Sequence, residues 1–299
     1  MEQLYQENKS VLTSLSYRLT GSWAEAEDIV QDTFAALFEH KDDLEHILSP
    51  VPYFRRAVVN RSLNVLKSSR ISRESYKGVW LPEPQFDAAV QREEEPLIRE
   101  EQVSYAFMVM LERLTPDERA VFVLRESFAV GYDEIAAILD KSEAACRKLL
   151  SRARQKLGPE IHDFRQSPEQ SRLVSDWVGA FLKAARTGNF SPLLGMIRED
   201  AVMWSDGGGK VRSAIRPILS RSRIIAFWNG ITRKGSLQGN LVPAMINGEP
   251  ALLHYRDGTA SKVILFEGDE NGQIRNIYLI TNPDKLIGAP SQNDLLTCL

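Results

Sequence analysis

The chain has 299 residues, and its 43% hydrophobic and 26% charged content is ordinary for a folded protein of two or three domains. No apolar run is as long as a membrane-spanning helix and the start is polar, so we expect a cytoplasmic protein without a signal peptide. Cys146 and Cys298 form neither a CxxC motif nor a Cys/His cluster, which argues against a zinc site and a disulfide framework.

The formal net charge of −3 conceals a strong segregation of charge along the chain. Residues 55–73 carry six basic and no acidic side chains, and residues 141–156 carry six basic side chains against Glu143 alone. Residues 91–101, between them, hold five glutamates against two arginines. Basic clusters of this density are typical of surfaces that contact nucleic-acid phosphates.

Residues 1–73 are predicted to form a helical domain. A capping box at Ser22 opens a helix that runs to about His40. The proline break at Pro50 is predicted to separate it from a second helix that starts near Tyr53. Helical spacing places three polar residues on one face of the first helix, opposite its apolar stripe: Asp28, Gln31 and Asp32. A solvated acidic face would also explain this pattern.

The second helix combines cations with side-chain amides. Five basic residues are candidates for phosphate contacts: Arg55, Arg56, Arg61, Lys67 and Arg70. Asn60 and Asn64 lie one helical turn apart and are able to hydrogen-bond base edges, and a protein that melts DNA needs both kinds of contact. Tyr53 is a candidate for base stacking, whereas periodicity predicts that Phe54 and Val58 belong to the core.

Residues 74–100 are predicted to be a linker, because Gly78, three prolines and the glutamate cluster interrupt any helical period. One motif stands out within it: Trp80, Leu81, Pro82, Glu83 and Pro84. A Trp–Leu pair in a segment that cannot form a regular helix usually packs on another surface.

Residues 101–160 are predicted to contain a helix-turn-helix, with Ser142 capping a last helix that Gly158 ends. The first residues of the second helix of such a unit face the major groove. They are Glu143, Ala144, Arg147, Lys148 and Ser151. Arg147 is the candidate for a bidentate guanine contact, and Arg152, Arg154 and Lys156 are candidates for phosphate contacts. A solvated basic helix is the simpler alternative.

Residues 168–286 are predicted to fold as an α+β domain, in which helices pack on a curved antiparallel sheet, and residues 287–299 as a flexible tail. Turns such as Asn247-Gly248 separate the last four predicted strands into hairpins. The run Asp206, Gly207, Gly208, Gly209 and Lys210 is compatible with an anion-binding nest or with a plain hairpin turn.

Acid/base candidates in this domain are Asp206, His254 and Tyr255, with Trp204 and Trp228 as pocket walls. His254 and Tyr255 are adjacent on a predicted strand and must point to opposite faces. No ready acid/base arrangement follows, so we assign no catalytic residue, metal or cofactor.

The first helical domain resembles that of the extracytoplasmic-function sigma factors. The resemblance rests on the acidic Asp28–Asp32 helix with Phe34, the proline break, and the basic helix that begins Tyr-Phe-Arg-Arg at residue 53. Residues 134–157, which end Ser-Arg-Ala-Arg-Gln-Lys-Leu, are similar to the second domain of the same family. The resemblance implies that Asp28, Gln31 and Asp32 dock on the clamp helices of core RNA polymerase. It also implies that the helix from Tyr53, with the loop 45–52, reads the −10 element of promoter DNA as single strand, and that the helix from Glu143 reads the −35 element as duplex.

Residues 170–286 resemble the SnoaL-like branch of the cone-shaped, NTF2-like fold shared with ketosteroid isomerases and polyketide cyclases. One set of extracytoplasmic-function sigma factors carries this domain at the C-terminus. The linker motif, the Asp206–Lys210 motif and a third motif indicate that set, the third being Asn282, Pro283, Asp284, Lys285 and Leu286. The resemblance implies that the domain replaces a separate anti-sigma factor by contacting the linker. The alternative is an active isomerase or cyclase, or a sensor of an unknown small ligand, fused to a DNA-binding module.

Overall fold

The computed structural model describes residues 2–39, 50–87, 103–158 and 168–293. They fall into two compact units. The helical unit contains residues 2–74 and 107–158 of the described chain, and the sheet unit contains residues 75–87, 103–106 and 168–293. Within the described ranges, no helix combines the length and the apolar character needed to cross a membrane.

The helical unit is built from seven helices within the described ranges. They are α1 (Glu2–Thr20), α2 (Trp23–Glu39), α3 (Pro50–Glu74), α4 (Tyr105–Leu111), α5 (Pro116–Phe122), α6 (Tyr132–Leu139) and α7 (Glu143–Leu157), with a π-helical turn, Val123–Ser127, after α5. The predicted capping interaction at Ser22 is present, since its Oγ accepts from the amide of Glu25 at 3.3 Å. Helix α3 begins at Pro50 and not near Tyr53, because a proline fits the first turn, where no intrahelical N–H is needed.

Helices α1, α2 and α3 share an aromatic core. Phe34 of α2 stacks on Phe54 of α3 with ring centroids 4.6 Å apart, and Val58 is fully buried one turn further along α3. The prediction that Phe54 and Val58 are core residues is therefore confirmed. Ser16 and Ser62 satisfy each other inside this core through a 2.8 Å hydroxyl–hydroxyl hydrogen bond.

Helices α6 and α7 form the predicted helix-turn-helix. Asp140 adopts a left-handed conformation with φ +52° and ends α6, and Ser142 Oγ caps α7 by accepting from the amide of Ala145 at 3.2 Å. Cys146 is fully buried, and burial raises the pKa of its thiol.

The sheet unit contains two helices and a six-stranded sheet. Its elements are α8 (Pro168–Thr187), β1 (Ile197–Asp206), β2 (Ile218–Leu219), α9 (Arg221–Arg233), β3 (Asn240–Ile246), β4 (Glu249–Arg256), β5 (Thr259–Gly268) and β6 (Ile274–Ile280), with 3-10 turns at Ser191–Gly195 and Pro283–Lys285. The strand order is β2-β1-β6-β5-β4-β3. The sheet is mixed and not purely antiparallel, because β1 pairs with β6 in parallel. Strands β3 to β6 are joined by hairpins and are antiparallel, whereas β1 is far enough from β6 in sequence for a crossover connection.

Both faces of this sheet carry buried side chains. On one face, α8 and α9 pack an aromatic cluster in which Trp228 lies 4.7 Å from Phe181 and 6.0 Å from Phe190, measured between ring centroids. Alternate strand residues point to the other face, where the ring of Tyr105 lies 5.4 Å from that of Tyr278. The second face is therefore packed against Tyr105, the first residue of α4, which belongs to the sheet unit.

Candidate functional site

The proposed polymerase-docking residues lie on the open side of α2. Asp28, Gln31 and Asp32 are all exposed, whereas Val30 and Phe34 of the same helix are buried. Periodicity alone predicts this arrangement, and it leaves the three polar side chains accessible to a partner.

The polar face of α3 presents four of the proposed −10 contacts to solvent: Arg56, Asn60, Asn64 and Lys67. Arg61 is half-buried. The side chain of Arg70 and residues 45–49 of the preceding loop lie outside the described residues. Arg55 differs from the others, because its Nη1 forms an ion pair with Glu134 Oε1 of α6 at 2.5 Å. One candidate DNA contact is therefore held by the helix-turn-helix half of the same unit.

A second contact joins these two halves of the helical unit. Arg119 of α5 is 1% exposed and donates from Nε to the carbonyl oxygen of Arg18 in α1 at 2.7 Å. Its Nη1 also pairs with Glu112, and the Arg18 guanidinium lies 4.8 Å from the ring centroid of Phe128. Sequence reasoning does not identify this contact, although the available signal is an arginine directly before the apolar run Ala120-Val121-Phe122.

Helix α7 exposes every residue proposed for −35 recognition: Glu143, Ala144, Arg147, Lys148, Ser151, Arg152 and Arg154. Arg147 pairs with Glu143 at 3.1 Å and lies 4.0 Å from the ring centroid of Tyr132. Stacking on Tyr132 orients its guanidinium without burying it.

The later cations of α7 are paired with carboxylates of the preceding helices. Arg154 contacts Glu126 at 2.7 Å, and Lys156 contacts Glu118 at 2.6 Å. Burial acts to raise the pKa of Glu118, but hydrogen bonds from Lys156 and Thr115 outweigh it, so this pKa lies below its usual value. Lys156 thus has a structural partner, whereas Arg152 has no ion pair within the part of the chain that the structure describes.

In the sheet unit, the linker motif and the two C-terminal motifs meet around one carboxylate. We name this group the Asp206 cluster (Asp206, Tyr76, Leu81 and Lys285). Asp206 is fully buried. It accepts hydrogen bonds from the hydroxyl of Tyr76 at 2.5 Å, from the amide of Leu81 at 2.9 Å and from Lys285 Nζ at 2.7 Å. Burial, followed by the hydrogen bond to Asp206, raises the pKa of Tyr76 well above its usual range.

Lys285 ties the third motif to the linker. Its ammonium group also donates to the carbonyl oxygen of Leu81 and lies 4.1 Å from the ring centroid of Trp80. Asn282 donates from Nδ2 to the Tyr76 hydroxyl at 3.0 Å. Of the remaining motif residues, Pro82, Pro84 and Leu286 are buried, Glu83 is half-buried, and Pro283 and Asp284 begin a 3-10 turn. The sequence singles out the three motifs, but not Tyr76, which lies before the linker motif.

The glycine run after Asp206 is a tight turn and not an open anion nest. The amide of Gly208 donates to Asp206 Oδ1 at 2.9 Å, so the chain's own carboxylate occupies this donor. Gly208 has φ +63°, and a Cβ there would lie 2.4 Å from the Asn282 side chain. Lys210 forms an exposed ion pair with Asp284 at 2.6 Å. Glycine is therefore required at position 208 for the turn and the third motif to approach each other.

The linker continues along the end of the β3–β4 hairpin. Phe86 forms an antiparallel bridge with Ile246, and the amide of Asn247 donates to the carbonyl oxygen of Gln85 at 2.8 Å. Asp87 accepts from the amide of Gly248 at 3.0 Å, and burial raises the pKa of Asp87 to about 6. On the other side of residues 88–102, which lie outside the described residues, the Tyr105 hydroxyl donates to the carbonyl oxygen of Pro82 at 2.8 Å. The described residues on both sides of 88–102 are thus bound within the sheet unit.

The three acid/base candidates do not converge. Asp206 faces the linker, His254 bonds Ser261 Oγ at 2.6 Å and the carbonyl oxygen of Gln238 at 3.1 Å, and Tyr255 donates to the carbonyl oxygen of Pro290 at 2.7 Å. Burial, with the nearby Lys262, lowers the pKa of His254 to about 4. Trp228 lies in the core, and Trp204 is half-buried. Strand alternation and core packing separate the three candidates, and His254 and Tyr255 have different partners, as expected for adjacent residues on one strand.

The hydrogen bond of Tyr255 also bears on the expected flexible tail. The bond from Tyr255 holds Pro290, so the described part of the expected flexible tail, residues 287–293, includes an anchored residue. Among the described residues, no group of three or more His, Cys, Asp or Glu side chains is placed to hold a metal ion.

Comparisons with known proteins agree with this arrangement. Residues 4–71 match the family described as Sigma-70 region 2, and residues 104–157 match Sigma-70, region 4. The chain is 32% identical over 295 residues to the ECF RNA polymerase sigma factor SigJ of Mycobacterium tuberculosis, covering 93% of this chain and 91% of SigJ. It is 26% identical over 286 residues to the probable ECF RNA polymerase sigma factor SigI of the same species, covering 94% and 93%.

The fold of SigJ is shared over almost the whole length. The crystal structure of Mycobacterium tuberculosis SigJ superposes with a TM-score of 0.75 at 29% identity, covering 97% of this chain and 99% of that one. The match extends through both the helical and the sheet unit. This chain therefore belongs to the ECF RNA polymerase sigma factors.

Proposed function

We propose that this sigma factor directs core RNA polymerase to specific promoters through three separate surfaces. The exposed face of α2 docks on the polymerase, the polar face of α3 binds the melted −10 strand, and the first turns of α7 read the −35 duplex. The exposure of all three sets of side chains supports these roles, since each needs solvent access before its partner arrives.

Run-off transcription with core polymerase and a promoter library tests this assignment. We expect promoter-specific transcripts from the full chain, and a strong loss when Asn60 and Asn64 are both changed to Ala. Asn8→Ala is the matched control, because the Asn8 side chain donates to the Leu4 carbonyl oxygen within α1, away from the polar face of α3. A library that yields no specific transcript would refute the proposed function.

We further propose that the sheet unit is a SnoaL-like regulatory domain that acts in cis in place of a separate anti-sigma factor. The Asp206 cluster carries this proposal. A fully buried carboxylate that accepts from two linker groups and one lysine fixes the linker through bonds that water cannot replace easily. Because the described residues on both sides of 88–102 are held within the sheet unit, we infer that this unit restrains the linker that follows α3.

The physical basis of control is a population shift. The helical unit holds Arg55 of α3 against Glu134 of α6, which removes one cation from the proposed DNA surface. Opening this arrangement requires the linker to permit new positions of α3 and α4. A difference of a few kcal/mol between the two forms is enough to change promoter output many-fold.

Replacing Trp80 and Leu81 together by Ala tests the linker contact. We expect the run-off signal to change at least several-fold in either direction, because Leu81 is buried and Trp80 covers Lys285. The matched control is the double change Leu194→Ala with Leu219→Ala, which removes exposed apolar side chains elsewhere in the sheet unit. Equal output from the linker variant and the parent chain would contradict regulation through the linker.

Truncation after Gly158 separates promoter recognition from control. This variant keeps α1 to α7 and both Sigma-70 matches. We expect it to bind core polymerase and promoter DNA while its output no longer depends on Trp80 and Leu81. A truncated chain that still responds to those two substitutions would place control outside the sheet unit.

A further inference from the structure

The sheet unit contains a long segment without acidic residues. Residues 207–248 include seven Lys and Arg side chains and no Asp or Glu, whereas 40 of the 299 residues in the chain are acidic. At that overall frequency, about six acidic residues would be expected in a segment of this length. Since the whole chain has a formal charge of −3, the residues outside this segment together carry −10. Positive charge is therefore concentrated here far beyond the average composition.

Most of these cations are not neutralised by the protein. Lys210 pairs with Asp284, and Arg221 pairs with Glu199. The other five are exposed and have no ion pair with any residue that the structure describes: Arg212, Arg216, Arg223, Arg233 and Lys234. The only hydrogen bond recorded for Arg233 in the described chain goes to the Asn229 carbonyl oxygen of its own helix, which leaves its charge unpaired. Exposed cations without a protein partner are available to an external anion.

Two of the five lie on the open side of α9 and a third is its C-cap residue, and we name them the α9 stripe (Arg223, Arg233 and Lys234). Lys234 follows Arg223 by eleven residues, which places it within about 20° of the same direction and about 16 Å further along the helix axis. Ile224, Ile225 and Trp228 form the opposite, buried side of α9. The stripe therefore presents its cations at both ends of one solvent-facing helix.

We propose that the α9 stripe binds the phosphate backbone of duplex DNA, in addition to the contacts proposed for α3 and α7. Duplex DNA carries one negative charge per about 1.7 Å of its axis, so cations about 16 Å apart meet phosphates at the same time. A single carboxylate on a protein partner would satisfy only one of them. Between the cations, α9 exposes Ala226 and half-exposes Gly230, whereas the larger Phe227 and Ile231 are partly buried and pack against the core. The stretch between the cations therefore offers no fully exposed bulky apolar side chain of the kind that inserts into a membrane surface.

The salt dependence of binding tests this contact in the full chain. The probe is a fluorescent duplex without a promoter sequence, and the dissociation constant is measured between about 50 and 200 mM salt. For the triple variant Arg223→Ala, Arg233→Ala and Lys234→Ala, we expect the slope of log affinity against log salt to fall by about 2–3, or about 0.9 for each lost phosphate contact. Affinity at low salt should fall by about ten-fold or more.

The matched control removes three exposed cations from α8 of the same unit: Arg172, Lys183 and Arg186, each changed to Ala. We expect it to keep the parental slope. If the control lowers the slope as much as the α9 variant, the effect comes from net charge and the stripe is not a site. An unchanged slope in the α9 variant also overturns the proposal.

Gly230→Glu provides a test that adds charge without removing a side chain. A Cβ at Gly230 would meet no other atom within 4 Å, so the helix accepts the change. We expect weaker binding to the duplex with unchanged or higher thermal stability. Equal duplex affinity of this variant and the parent contradicts the proposal.

A photocrosslinker in place of Ala226 locates the partner in the complex of full chain, core polymerase and promoter DNA. Crosslinks to DNA support the proposal, and crosslinks only to a polymerase subunit overturn it. Stripe-dependent sedimentation with phosphatidylglycerol vesicles, without stripe-dependent duplex binding, also overturns it. If the parent chain fails in run-off transcription, the proposed promoter function is contradicted. If transcription is normal but the α9 variant keeps the parental slope of log affinity against log salt, only the proposal for the α9 stripe is contradicted.

Discussion

The Asp206 cluster and helix α7 contain the same kind of ion pair in opposite surroundings. Asp206 is fully buried and the side chain of its partner Lys285 is only 10% exposed. In α7, the side chains of Arg147 and Glu143 are 59% and 50% exposed. Separating a buried pair leaves a charge without water, which costs about 3–5 kcal/mol, whereas an exposed pair contributes about 0–1 kcal/mol. The first pair therefore suits a permanent clamp, and the second is easily exchanged for a DNA contact.

The largest expected effect comes from breaking the buried pair. Asp206→Ala leaves the Lys285 ammonium and the Tyr76 hydroxyl without their shared acceptor, and we expect the sheet unit to lose about 3–5 kcal/mol of unfolding free energy. Tryptophan fluorescence during guanidinium unfolding measures it, because four of the five tryptophans lie in the sheet unit (Trp80, Trp177, Trp204 and Trp228).

Two further variants separate charge burial from simple loss of a side chain. Asp200→Ala removes an exposed carboxylate that is paired with Arg198, and we expect a far smaller loss of stability than for Asp206→Ala. The double change Asp206→Ala with Lys285→Met removes both buried charges and should recover part of the loss. If Asp206→Ala and Asp200→Ala have equal effects, the contrast between buried and exposed pairs does not hold.

The next prediction concerns two buried groups whose pH effects oppose each other. The pKa of Asp87 is raised to about 6, so its contribution to stability is present below about pH 4 and is lost as the pH rises to about 6. The pKa of His254 is lowered to about 4, so its contribution is present above about pH 6.5 and is lost as the pH falls to about 4. Between about pH 4 and 6 we therefore expect the contributions of Asp87 and His254 to the free energy of unfolding to cancel largely.

Asp87→Asn removes one of the two opposing contributions and leaves the pH dependence that comes from His254. The amide oxygen still accepts from Gly248, but the titration is gone, so acidification from about pH 6.5 to 4.5 should destabilise the variant more than the parent chain. The difference should approach about 1.4 kcal/mol per pH unit, and at pH 7.5 the variant should be the more stable by about 1–3 kcal/mol. Thermal unfolding across this pH range measures both effects. Parallel curves for the two proteins would contradict the raised pKa of Asp87.

On the exposed side of the comparison, Arg147→Ala should change binding and not folding. Its partners are an exposed carboxylate and the face of Tyr132, so we expect less than about 0.5 kcal/mol of change in stability. A bidentate base contact is worth about 1–3 kcal/mol, and promoter affinity should therefore fall about ten- to a hundred-fold with relaxed specificity at one position. Lys148→Ala is the control for a phosphate contact, since it should weaken all duplexes equally. Equal losses on promoter and random duplex for Arg147→Ala would exclude base readout.

The helices of this protein follow closely from local patterns. The residues that cap α2 and α7 lie where the sequence predicts them, and the apolar periodicity of α3 places Phe54 and Val58 correctly. These features depend on residues within one or two helical turns of each other. The hairpins from β3 to β6 were predictable for the same reason, because their turns are short and contain Asn-Gly or Asp-Gly.

What the sequence does not determine depends on contacts between distant residues. The parallel pairing of β1 with β6 joins residues more than seventy positions apart, and the acceptor role of Asp206 depends on Tyr76, 130 positions away. For this reason the sequence alone leaves Asp206 as a candidate for either an acid/base role or a structural one. A carboxylate beside a glycine run has the same local pattern whether it faces a pocket or binds a linker.

The smallest expected effect tests whether motif membership or burial decides the energy of an ion pair. Lys210 and Asp284 belong to the same two motifs as Asp206 and Lys285, and Nζ of Lys210 lies 2.7 and 2.6 Å from the two carboxylate oxygens. Their side chains are nevertheless 57% and 56% exposed. A double-mutant cycle with Lys210→Ala and Asp284→Ala should give a coupling energy of only about 0.2–1 kcal/mol, which decreases as salt is added. A coupling above about 2 kcal/mol that is insensitive to salt would show that short contacts to both carboxylate oxygens outweigh solvent exposure. Strong and weak ion pairs would then have to be distinguished by their geometry and not by their burial.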